Sequence, residues 1–254
     1  MFVLTLTCAL ACQEPVPPAP APAPNPAPAT PAEAPPAPIT VKTWDDATAK
    51  AELAGFAKVM KGTPSLLEKT RALDALAAGS HVMLLKPLGE VVEKDKAVVV
   101  RKRAAELLAN QPAKEANAAI RALLKNTKVL SSPPVSAQLV RALANCGYDG
   151  KQWKEIAGLF EREYTAEAVP LQEALLDLIV KHGEKQAIDL LVRNIDEPAP
   201  VDVHAADNPP AEYWEARWKA WSAWKAKVKD ALFALTGQRF STAAEAQAWL
   251  KKNR

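Results

Sequence analysis

The sequence predicts an all-α fold, a short α-solenoid of paired helices closed at its C-terminal end by a tryptophan-rich helix. Three observations predict it. From Trp44 onward the chain is rich in Ala, Leu, Glu and Lys and poor in Gly, a composition that favours helix over strand. Four segments resemble one another, starting at Arg71 ("RALDALAAGS"), Arg103 ("RAAELLANQP"), Arg141 ("RALANCGYDG") and Ala174 ("ALLDLIVKHG"), at spacings of 32, 38 and 33 residues. In "AEYWEARWKAWSAWKAKVKDALFALTGQRF", at 100° per residue from Trp214, the residues Trp218, Trp221, Trp224, Val228, Leu232 and Leu235 fall within about 120° of arc, a single apolar stripe.

The chain divides by composition into a tail and a body. Twelve of its 22 prolines lie in residues 1–40, where Glu14 and Glu33 are the only charged side chains. Residues 1–12 are apolar up to Cys12 and are too short to span a bilayer, which needs about 20 apolar residues. Residues 13–40 are almost pure Pro and Ala. Such a segment has too little to bury and is expected to be disordered and extended, as a semi-rigid spacer.

The body begins at residue 41. In "WDDATAKAELAGFAKVMKG" either Asp45 or Asp46 can cap a helix that carries Leu53, Phe56, Ala57 and Met60 on one face and stops at Gly62. Thr63 then precedes Pro64 at a first-turn position, and Ser65 to Glu68 reads as a capping box. Ser132 before Pro133 and the pair Thr242 and Glu245 mark further starts. "KAVVVRK" is β-prone but sits in a helical pattern and is read as helix. Each of the four similar segments is followed by a second apolar helix: "HVMLLKPLGEVVE", "AKEANAAIRALLKN", "KQWKEIAGLFERE" and "EKQAIDLLVRNI". The body so read runs over residues 41–196, with a Pro-rich loop at 197–210 and a helical cap at 211–254.

These pairs, over roughly Pro64 to Ile195, resemble HEAT repeats of the looser bacterial type; the Trp-Leu-Gly-Tyr pattern of tetratricopeptide repeats is absent. The resemblance implies a right-handed stack of helix pairs whose inner surface, made from the second helix of each pair, binds a protein or peptide partner. "ALAC" around Cys12 resembles a bacterial lipobox, in which the cysteine is acylated and becomes the mature N-terminus. That resemblance implies export and a lipid anchor in the cell envelope, although no Lys or Arg precedes the apolar run. The competing reading of residues 1–40 is a dispensable tail with an incidental cysteine.

Other residues invite chemistry and have plainer explanations. Trp214, Trp218, Trp221 and Trp224 could form a partner-binding strip, or they could seal the last helix pair. The loop "DEPAPVDVHAADNPP" gathers Asp196 with the weak metal candidates Asp202, His204 and Asp207, at a spacing that matches no established ligand set. Cys146 reads as a small buried apolar residue, and His182 before Gly183 as a helix-end cap. The sequence contains no glycine-rich phosphate loop, serine elbow, paired zinc cysteines or HExxH.

Residues 41–204 carry 23 basic and 22 acidic groups, and residues 205–254 carry 9 and 5. A repeat region so nearly neutral gives no support to nucleic-acid binding. The expectation is therefore a non-catalytic interaction scaffold with no cofactor, held to a membrane through its N-terminal lipid. The alternatives are a HEAT-like lyase or enzyme accessory protein, and a structural envelope spacer. Convergent titratable groups in a groove would favour the enzyme, exposed apolar anchors would favour partner binding, and a featureless polar surface would favour the spacer.

Overall fold

The computed structural model describes residues 41–200 and 205–253. The signal-like segment with Cys12, the Pro/Ala segment 13–40, and the side chains of Asp202 and His204 lie outside the described residues. Twelve α-helices dominate what is described: α1 Asp46–Lys61, α2 Leu66–Leu76, α3 Leu85–Lys94, α4 Val98–Leu108, α5 Ala113–Leu123, α6 Thr127–Leu130, α7 Pro133–Leu143, α8 Trp153–Ile156, α9 Val169–His182, α10 Ile188–Arg193, α11 Ala211–Thr236 and α12 Ala243–Asn253. Among the described residues the fold is all-α but for one parallel ladder of two residues per strand, β1 Lys42–Thr43 against β2 Gly79–Ser80.

Local chemistry sets most helix ends. Asp45 caps α1, its carboxylate accepting the Thr48 N–H at 2.8 Å, and that bond holds it below the usual carboxylate range. Gly62 ends the helix. Ser65 and Glu68 form a reciprocal box at the start of α2, with Glu68 accepting from the Ser65 N–H at 2.7 Å. The box places the helix start at Leu66, so Pro64 stands before the cap and not in the first turn. Pro133 occupies the first position of α7, while Gly183 and Gly237 end α9 and α11 with φ of 59° and 71°.

The β-prone run at Val98–Val100 is helical because α4 packs on both sides: Val100, Ala104, Leu107 and Leu108 are buried, and tertiary burial outweighs a weak local preference. "KQWKEIAGLFERE", expected as one helix, is broken into α8 flanked by the 3-10 turns Gly150–Gln152 and Ala157–Leu159. Its buried residues are Trp153, Ile156, Leu159 and Phe160, and the poor helix former Gly158 lies among them where the helix breaks.

The four similar segments fall in α2, α4, α7 and α9, and these helices pack in sequence: α2 on α4, α4 on α7, α7 on α9, and α9 on α11. The second members fall in α3, α5, α8 and α10, but the pairing expected from the sequence is out of phase with the packing: α3 lies closest to the following α4, not to α2, and α2 lies against α1. One continuous apolar core runs from Ala49 to Leu250. Each large aliphatic side chain in it contributes roughly 1.5–3 kcal/mol by leaving water.

Buried polar side chains bridge successive pairs. Gln111 donates to the carbonyl oxygens of Leu107 and Gly79 and accepts the His81 N–H. Asn117 of α5 donates to the carbonyl oxygens of Cys146 and Gly147 and exchanges hydrogen bonds with Gln152. Gln172 of α9 donates to the Phe160 carbonyl at 3.0 Å and accepts from the Trp224 indole at 2.9 Å. Asn194 donates to Glu161, which also pairs with Arg193. Arg121 and Lys125 both pair with Glu155, holding its carboxyl below the usual range.

At the N-terminal end the Lys42 N–H donates to the Ala78 carbonyl at 2.9 Å and the Trp44 N–H to the Ser80 carbonyl at 3.1 Å, which lays the Trp44 ring over Gly79. A Cβ on Gly79 would stand 2.0 Å from that ring. Gly79→Ala is therefore expected to destabilise the protein by about 1–3 kcal/mol in urea unfolding, the range for overpacking. Gly62→Ala, whose Cβ would meet only the Val59 carbonyl oxygen at 3.7 Å, should stay within about 0.5 kcal/mol of wild type.

Candidate partner-binding groove

An apolar recess is built by α1 and α3. Leu53, Phe56 and Met60 follow the i, i+3, i+7 pattern on one face of α1, and Pro87 and Val91 lie four apart on α3. Together they line a groove of about 520 Å³. The two helices run alongside each other in the same direction. Asp46 at the start of α1 bonds to His81, just before α3, at 3.1 Å, and Met60 and Lys61 at the end of α1 share the groove with Lys94 and Asp95 at the end of α3. His81 is thus a structural joint: its Nδ1 accepts the Met83 N–H at 3.2 Å and its Nε2 faces Asp46.

The groove was missed in the sequence. The α1 stripe was legible, but its partners Pro87 and Val91 on α3 are 27 to 38 residues away, and only the assembled fold brings the two together.

The tryptophan stripe is graded across α11. Trp224 is 1% exposed, stands edge-on to Phe160 at 5.1 Å and gives its indole N–H to Gln172; it seals the fourth helix pair and offers nothing at the surface. Trp218, at the other edge of the arc, is 45% exposed and donates to Glu197 at 2.6 Å. Trp214 and Trp221 are half-buried, and their indole N–H groups are buried without a hydrogen-bond partner among the described residues. Arg217 lies over the rings of Tyr164 and Trp214 at 5.1 and 5.7 Å.

Of the loop carboxylates, Asp196 caps α12 by accepting the Ala243 N–H at 3.0 and 3.1 Å, which accounts for it structurally, and Asp207 is exposed. Among the described residues no group of three or more His, Cys, Asp or Glu side chains could hold a metal ion. Thr242 and Glu245 serve the same helix start, though Glu245 accepts from the Ser241 N–H and not from that of Thr242.

A cluster of titratable groups lies where α7 and α9 end. The Tyr148 hydroxyl donates to the buried Glu184 at 2.8 Å, and its pKa is raised, first by burial and then by that bond. Glu184 also accepts the Gln186 N–H at 3.0 Å. His182 reaches the Ala144 carbonyl at 2.9 Å, so it meets the end of the neighbouring α7 and not the end of its own helix. These groups are occupied in joining adjacent pairs.

Cys146 is buried beside them, and burial pushes its thiol up to about 11. At pH 8 it holds far less thiolate than an ordinary cysteine. Iodoacetamide should therefore leave the Cys146 peptide unmodified in the native protein and alkylate it in urea; rapid native alkylation would contradict the enclosed site.

Among the described residues no helix is long and apolar enough to cross a membrane. Comparison with protein-family models, with curated proteins and with solved structures gives no match to this chain.

Proposed function

We propose that the chain is a non-catalytic protein-interaction scaffold of the cell envelope: a HEAT-like α-solenoid on a Pro/Ala tether, anchored by a lipid on Cys12, which docks a protein partner. The observation that carries the docking reading is the α1/α3 groove. Its floor is apolar, its position is open to solvent, and its lining residue Met60 is a side chain that adapts to varied apolar surfaces. Anchors of this kind on a concave surface are what protein partners use.

The solenoid reading is supported by bonds that recur at about one repeat length. Asp74 pairs with Arg103, Asn117 bonds Gln152, Tyr148 bonds Glu184, and Glu161 pairs with Arg193. The anchor reading rests on the sequence around Cys12 alone.

Two measurements in a lipoprotein-processing bacterium test the proposal. Intact mass should show loss of the first eleven residues and gain of acyl chains in wild type, and neither in Cys12→Ala. A photocrosslinking amino acid placed at Leu53 or Met60 should give one discrete adduct band that is absent when the probe is at Lys225, on α11. An unacylated N-terminus would refute the anchor, and adducts equal at both places, or at neither, would refute docking in the groove.

A further inference from the structure

The rim of the groove has a charge pattern that selects its occupant. Lys86 stands towards the start of α3, and Lys61 and Lys94 stand where α1 and α3 end; all three are exposed and none has an ion-pair partner among the described residues. Two acids are nearby. Asp95 is taken up by Lys69 at 2.6 Å, with its side chain 5% exposed. Glu90 is left as the single acid on the rim against three lysines. An apolar floor edged by unmatched ammonium groups asks for an apolar stripe edged by carboxylates.

The dimensions suit a helix. α3 has ten residues, about 15 Å at 1.5 Å per residue, which is close to three turns of an occupant lying parallel to it. Three turns present apolar anchors at i, i+3 or i+4, and i+7.

The surface is also wider than the groove. Where α1 and α3 end, α2 and α4 begin, and their first residues Leu66, Leu67, Val98 and Val99 are exposed. Leu66 and Val98, and likewise Leu67 and Val99, hold the same places in successive pairs, 32 residues apart. A single acyl chain is held by enclosure on most sides. An open groove flanked by further exposed apolar side chains matches the breadth of a protein partner instead.

We infer that the α1/α3 groove binds an acidic amphipathic helix of a protein partner, with apolar anchors on Leu53, Met60 and Val91 and carboxylates against Lys61, Lys86 and Lys94. This inference rests on the docking reading above and adds the chemistry of the partner to it.

The test uses the full chain and two labelled synthetic 14-residue helical peptides that share one leucine stripe, flanked by Glu in one and by Lys in the other. Fluorescence anisotropy should show the Glu peptide binding at least about tenfold more tightly than the Lys peptide, with the difference shrinking between 50 and 300 mM NaCl. The surface double variant Lys61→Glu/Lys94→Glu should reverse the preference. Met60→Glu should abolish binding of both peptides, with circular dichroism showing that the fold is retained.

Equal binding of the two peptides, unaffected by the lysine reversals but lost in Met60→Glu, would overturn the acidic-partner inference and leave docking in the groove standing. Binding of neither peptide would overturn the inference. So would a groove that takes sodium dodecanoate in their place, or concentration-dependent dimerisation that Met60→Glu abolishes.

Discussion

A helix pair with an apolar face on each side can satisfy only one of them alone, so every pair in this chain depends on its neighbour. The dependence is polar as well as apolar. Gln111, Asn117, Gln172, Glu184 and Asn194 are all buried, and each has a hydrogen-bond partner. A buried amide or carboxylate left unmatched costs about 1–3 kcal/mol or more, so the correct register of one pair on the next is enforced by more than shape. Apolar faces built largely from Ala and Leu could slide against one another; the fixed partners of these five side chains resist that.

The two ends are closed by different means. At the C-terminal end the last pair is covered by α11, whose Trp224 meets both the ring of Phe160 and the amide of Gln172, and Asp196 then draws in α12 by capping it. At the N-terminal end Trp44 and the short ladder pin the entering chain over Gly79, and α1 is held at its start by the Asp46–His81 contact. The far half of α1 is less covered. Leu53 and Met60 stay only partly buried, and the groove exists because α1 and α3 do not close over it. The structural closure at one end and the proposed recognition surface at the other follow from the same need to cover an apolar face.

Residues adjacent in sequence announced themselves. Asp45, the Ser65–Glu68 box, Pro133 after Ser132, and Gly62 and Gly183 are local devices that act within a turn, and the four similar segments mark α2, α4, α7 and α9 because helical burial repeats every three or four residues. What depends on distant partners was not legible. The two-residue ladder is too short to carry an alternating pattern, Asp196 caps a helix 47 residues away, and His182 reaches a carbonyl 38 residues back. The tryptophan stripe was correctly placed on one helix, but its gradation from the enclosed Trp224 to the exposed Trp218 depends on where α9 ends its cover.

The measurement that bears most directly on the account is native-state hydrogen exchange on wild type and on Gln172→Ala. Stacking of neighbours predicts that amides of α4, α7 and α9, covered on two sides, open at the highest free energy and those of α1 and α12 at the lowest. Removing the Gln172 amide should lower protection in α9 and α11 by about 1–3 kcal/mol while α1 and α2 keep theirs. Protection that is uniform along the chain, and that falls equally everywhere in Gln172→Ala, would contradict a fold held together from neighbour to neighbour.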